Sequence, residues 1–163
     1  MAKVASLDKT RIDLARANRA KAADLLNQLL ADSSDLAART KHAHWNVKGP
    51  QFIALHKYFD ELYAVIGEHV DEIAERTAAL GAPVHGRLSD AARNTRLKDY
   101  PDGVEQGMEV VRVLADSVGT LANAMREGIE TAEELEDMVT ADLLTGVAAS
   151  LDKHLWFLEA HLR

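Results

Sequence analysis

The chain has 163 residues, a formal net charge of −7 and no cysteine. That length suits one domain with a sizeable core, and the lack of thiols excludes disulfides, zinc fingers and thiol nucleophiles, which fits a reducing cytosol. No stretch is apolar for long enough to cross a bilayer, and residues 1–6 bring a charge but no apolar signal core, so secretion is not expected.

Charge is unevenly spread. Residues 1–21 hold six basic side chains (Lys3, Lys9, Arg11, Arg16, Arg19, Lys21) against Asp8 and Asp13, a net of +4 that leaves −11 on residues 22–163. A basic end on an acidic body predicts two different electrostatic roles.

Long alanine-, leucine- and glutamate-rich segments, good helix formers, run between stops made of glycine and proline. A first helix is expected over residues 8–47, with Leu25, Leu29, Leu36, Ala43 and Val47 at helical steps; Gly49-Pro50 ends it. A second is expected over 51–80, carrying Leu55, Phe59, Leu62, Ile66, Ile73 and Leu80 and closed by Gly81-Ala82-Pro83. Residues 81–103 are too many for a tight hairpin, and within them residues 89–94 can form a short helix. A third long helix is expected over 104–127, with Val104, Met108, Val111, Ala115, Val118, Ala122 and Met125 as its seam and Gly128 as its end. Thr131 and Glu134 match a capping box that would open the fourth, continuing through Leu143, Val147, Leu151, Leu155 and Leu158. No β-branched alternation appears. The expected class is all-α: a single ferritin-like four-helix bundle with an extra short helix in the long crossover between helices 2 and 3, and residues 1–7 as a short N-terminal extension.

Candidate chemistry sits on the first two helices, in His44, His56, Asp60, Asp71 and Glu75. Imidazole and carboxylate are ligands for a borderline or hard divalent metal. His56-x-x-x-Asp60 and Asp71-x-x-x-Glu75 each put two side chains on one helix face, a turn apart. The eleven-residue step from 60 to 71 keeps all of them on one stripe. Yet the centres of the pairs are about 22 Å apart along a straight helix. One chain cannot close both pairs on one metal; a second copy packed antiparallel across a two-fold axis can. Taken alone, Asp71 and Glu75 would be an ordinary solvated acidic pair and His44 a core histidine. His42 falls on a different face from His44 and should be exposed, while His69 is open between a supporting role and polar surface. His85, His154 and His161 are expected to be structural, and Trp45 to be a packing residue first. No Glu-x-x-His occurs, so a metal site inside the core of a single bundle is not expected.

The chain also resembles the Dps proteins, the DNA-protecting mini-ferritins of starved and oxidatively stressed bacteria. The likeness rests on Lys41-His42-Ala43-His44-Trp45-Asn46-Val47-Lys48-Gly49, on Phe52-Ile53-Ala54-Leu55-His56 and on Asp71-x-x-x-Glu75-Arg76. It continues through Leu97-Lys98-Asp99-Tyr100-Pro101, Thr140-Ala141-Asp142-Leu143-Leu144 and residues 151–159. The resemblance implies a ferroxidase site between subunits. His44, His56 and Asp60 would come from one chain and Asp71 and Glu75 from its two-fold mate, with Trp45 beside them. It implies a homo-dodecamer that oxidises Fe(II), chiefly with hydrogen peroxide, and stores ferric iron in its cavity. It places Asp142, with Asp137, in the region of acidic pores, and it makes the protein bacterial and cytoplasmic, at the nucleoid where DNA is bound. Many members bind DNA through a lysine-rich tail; here the extension before the first helix holds only Lys3, and the chain stops almost flush with the last helix. DNA binding is therefore expected to be weak or absent, and no membrane partner is expected. The competing reading is a non-enzymatic, DNA-compacting protein with a structural metal site. Zinc or manganese would also suit such ligands.

Overall fold

In the computed structural model, which describes residues 7–163, the helices are α1 (Arg16–Asn46), α2 (Phe52–Ala79), α3 (Leu88–Asn94), α4 (Gly107–Glu134) and α5 (Met138–Ala160). Short connections make α1 lie along α2 and α4 along α5, and the long crossover carries α3 against α1. This is the all-α bundle with a crossover helix that the helical periods and stops predict. The apolar stripes meet in one core, where Leu26, Leu36, Phe59, Leu62, Ile66, Leu114 and Leu121 are all but inaccessible. Each such side chain contributes about 1.5–3 kcal/mol by leaving water. The N-terminal extension, with its Lys3, lies up to residue 6 outside the described residues.

Three helix boundaries differ from expectation, and packing explains them. The first helix starts at Arg16, not at residue 8. Leu7 is buried against Ala20, Ala23 and Ala82, and Asp8 N–H donates to Gly81 O at 2.7 Å, so this segment is held as non-helical chain. Arg19 is buried there and donates to Leu80 O at 2.9 Å and Asp8 O at 3.4 Å, while Arg16 donates to Leu7 O at 3.2 Å. Neither is a freely solvated cation, and Arg11 precedes the helix.

Gly128 does not end the next-to-last helix, which runs on to Glu134. It is buried where neighbouring helices approach: a Cβ here would stand 3.0 Å from Leu144 Cδ1 and 3.2 Å from Leu29 Cδ1. Thr131 and Glu134 consequently fall inside the last turn, where Thr131 Oγ1 donates to Glu127 O at 2.9 Å. The true stop is Glu136, at φ 60°, with Glu136 N–H donating to Glu133 O and Asp137 N–H to Ala132 O, both at 2.9 Å. These are the paired bonds of a Schellman cap. Asp137 then caps α5, accepting from Thr140 N–H at 3.1 Å and Thr140 Oγ1 at 2.6 Å.

A polar row on α1 receives the crossover. Asp32 is buried and accepts from Arg96 Nη2 at 2.6 Å, Arg96 Nε at 2.9 Å and Arg96 N–H at 2.8 Å. One turn on, Asp35 accepts from Thr95 Oγ1 at 2.7 Å and pairs with Arg39, which donates to Lys98 O at 2.8 Å. The end of α1 is tied to the start of α4 by Lys48 N–H to Glu105 O at 2.7 Å and Gly107 N–H to Lys48 O at 3.0 Å.

Candidate metal centre

His44 lies in the last turn of α1 and His56 early in α2, brought together by the tight connection between these helices. Their rings stack with centroids 3.8 Å apart and planes 21° from parallel. His44 Nδ1 is 2.7 Å from His56 O, and His56 Nδ1 is 2.8 Å from His44 O. A carbonyl can only accept, so both Nδ1 atoms carry the proton. Each Nε2 is left with a lone pair, the form in which imidazole binds a metal. The end of the helix explains half of this. Lys48 N–H, the usual partner of His44 O, goes to Glu105 O instead, and His56 supplies the missing donor.

Asp60, one turn beyond His56, is exposed and forms an ion pair with Lys41 of α1. The hydrogen-bonded Lys41 ammonium holds the Asp60 carboxyl below the usual carboxylate range, with smaller contributions from His44 and His56. Lys41 Nζ also stands 5.0 Å from the centre of the Tyr63 ring.

Asp71 and Glu75 are exposed near the other end of α2, about 22 Å along the axis from His56 and Asp60. Their helix neighbours are already engaged: Glu72 with His69 at 3.2 Å and Arg76 with Asp137 at 2.6 Å. Among the described residues no three histidine, aspartate or glutamate side chains gather closely enough within one chain to hold a metal ion. The chain thus brings together His44 and His56, with Asp60 next along the helix, and leaves Asp71 and Glu75 apart from them.

The remaining candidates are placed as follows. Trp45 is 68% exposed, not packed, because it points away from the bundle between the inward Ala43 and Val47. His42 is exposed and edge-on to Tyr100. Asp142 is exposed, whereas Asp137 is buried and committed to Arg76 and to the cap of α5. His69 binds Ser150 Oγ through Nε2 at 2.9 Å, and His161 Nδ1 meets Phe157 O at 2.7 Å. His154 is buried; Tyr58 donates to its carbonyl at 3.2 Å and sits 3.2 Å from its Nδ1. Burial lowers the His154 imidazole below its ordinary range, and burial raises the Tyr58 phenol.

The ferritin-like domain family matches residues 23–163. A DNA protection during starvation protein of Agrobacterium fabrum is 41% identical over 155 residues, which span 95% of this chain and 96% of that protein. The chain belongs to the Dps family. The tetragonal form of Mycobacterium smegmatis Dps superposes with a TM-score of 0.91 at 33% identity, covering 96% of this chain and 95% of the other. Dps from Vibrio cholerae, described as one of a broad superfamily of ferritin-like diiron-carboxylate proteins, gives 0.90 at 29% identity and covers 97% and 99%. As a Dps chain it has no helix, among the described residues, long and apolar enough to cross a membrane.

The contacts of two residues at this centre carry no signal in the sequence. Lys41 and Tyr63 lie on different helices, 22 residues apart, and only packing shows that one ammonium serves both Asp60 and the ring. The exchange of bonds between the histidines is likewise invisible to spacing, since each acceptor is a backbone atom.

Proposed function

We propose that the protein is an iron-detoxifying and iron-storing ferroxidase. Fe(II) is held by His44, His56 and Asp60 of one subunit and by Asp71 and Glu75 of a two-fold mate. A second Fe(II) binds alongside, less tightly. Two Fe(II) give one electron each to hydrogen peroxide, which is reduced to water, so no hydroxyl radical is released. Ferric iron accumulates within a hollow dodecamer whose acidic body, −11 over residues 22–163, draws cations inward. DNA is protected chiefly by removal of the reagents that damage it.

The observation that carries this reading is the fixed tautomer of both histidines: two Nε2 lone pairs stand ready beside an exposed carboxylate, while the other acidic pair is out of reach along the same helix. Backbone carbonyls orient the rings before any metal arrives, which favours binding. The diiron-carboxylate description of the Vibrio cholerae relative supports the same chemistry.

Mixed assemblies test it. His56→Ala and Asp71→Ala should each slow Fe(II) oxidation by peroxide while keeping helix content and assembly. Shells reassembled from both variants should regain part of the rate, because some interfaces then pair an intact histidine half with an intact acidic half. No gain, despite proven subunit exchange, would show that the halves do not come from different chains.

A further inference from the structure

Asp60 has two claimants. It is the carboxylate beside the paired histidines, and it is already engaged by Lys41. Lys41 stands one turn before His44 on α1, so its ammonium and the imidazoles share a helix face. The Lys41 side chain is only 25% exposed, so most of its stem packs on the fold. A divalent cation bound to Asp60 and the Nε2 atoms would stand within a few ångströms of the ammonium if it kept its place on Asp60, a strongly unfavourable arrangement. The carboxylate cannot serve the ammonium and a metal in the same way at once. The Tyr63 ring, 5.0 Å from Lys41 Nζ, offers the ammonium another partner that needs no carboxylate.

We propose that Lys41 is an exchangeable counter-ion of the metal centre: its ammonium occupies Asp60 until a divalent cation displaces it toward the ring of Tyr63. This rests on reading His44, His56 and Asp60 as metal ligands. The consequence is a centre neutralised while empty and deliberately modest in affinity. It binds cations less tightly than the bare ligands would, because each binding event must break an ion pair. A purely structural role for the pair, tying α1 to α2, predicts the opposite sign. Removal of Lys41 would then leave Asp60 less well placed and weaken metal binding.

Calorimetric titration of the assembled protein with Co(II) alone separates these cases, and the ligand-field spectrum of cobalt reads the same site independently. Lys41→Met and Lys41→Gln should each bind Co(II) roughly tenfold more tightly than the parent, since a repelling charge and a competing ion pair are lost together. His56→Ala should abolish that binding. Unchanged or weaker binding in both Lys41 variants, with binding to the parent still dependent on His56, would overturn the counter-ion role while sparing the metal centre. Cobalt binding and spectra unaffected by His56→Ala would overturn the metal centre itself and this inference with it.

Discussion

His44 and His56 each direct Nδ1 at the other's backbone carbonyl, at 2.7 and 2.8 Å, so each ring is oriented by the residue it stacks on. Loss of either ring therefore removes a donor from the surviving partner's carbonyl as well as a lone pair from the proposed metal centre. His44→Ala should lower the rate of Fe(II) oxidation by at least about tenfold, as loss of an oriented metal ligand does. The stability cost should stay near 1–2 kcal/mol, the scale of one orphaned hydrogen-bonding group. Stopped-flow oxidation and denaturant unfolding measure the two quantities. A stability loss with an unchanged rate would mean that the stacked pair is architecture only.

Arg96 closes the buried carboxylate of Asp32 with bonds of 2.6 and 2.9 Å from its side chain. Arg96→Ala leaves that carboxylate with the backbone N–H of position 96 and with Gln28. Because the guanidinium is itself about half exposed, the expected loss is nearer 2 than 5 kcal/mol. Faster hydrogen exchange should be confined to residues 90–98, where the crossover leaves α1.

The Schellman cap after α4 uses a non-glycine residue in the left-handed region, Glu136 at φ 60°. The cap after α2 uses Gly81 at φ 82°. Glu136→Gly should accordingly raise stability by about 1 kcal/mol, read as a higher melting temperature. Gly81→Ala should lower it, since a Cβ there would also meet Asp8 O at 2.8 Å. A Glu136→Gly variant that melts below the parent would mean that the side chain has a role beyond the turn.

Burial, aided by Lys153 and His69, holds the His154 imidazole below its ordinary value of 6.5. The folded chain then takes up a proton less readily than the unfolded one. Stability from this residue is complete above that ordinary value and is lost as pH falls through the folded value. Melting curves between about pH 7.5 and pH 5 should show the decline, and His154→Gln should flatten it. An identical slope in the variant would assign the acid sensitivity to other groups.

Nucleic acid should be a poor partner at physiological salt. The body carries −11, and Arg16 and Arg19, two of the basic side chains that give the first 21 residues their net +4, are engaged with carbonyl groups of the fold. No stable plasmid complex is expected near 150 mM salt and neutral pH, with retardation emerging as salt is lowered, as phosphate neutralisation by a few cations requires. A tight complex at that salt would place the DNA-binding surface elsewhere on the protein.

Periodicity and punctuation suffice for the all-α class, the crossover and the stripe of His56, Asp60, Asp71 and Glu75, because helical spacing is local and proline and glycine act where they stand. Axial rise along one helix is likewise enough to separate the two candidate pairs. What local rules misjudge are residues whose surroundings come from far along the chain. Gly128 looks like a stop, yet is the small residue that lets α4 approach Leu29 and Leu144. Arg19 looks like a surface cation, yet its guanidinium holds the turn at Leu80. The imidazole tautomers and the sharing of Asp60 with Lys41 belong to tertiary structure alone, because they are set by a carbonyl or an ammonium that packing delivers from another helix.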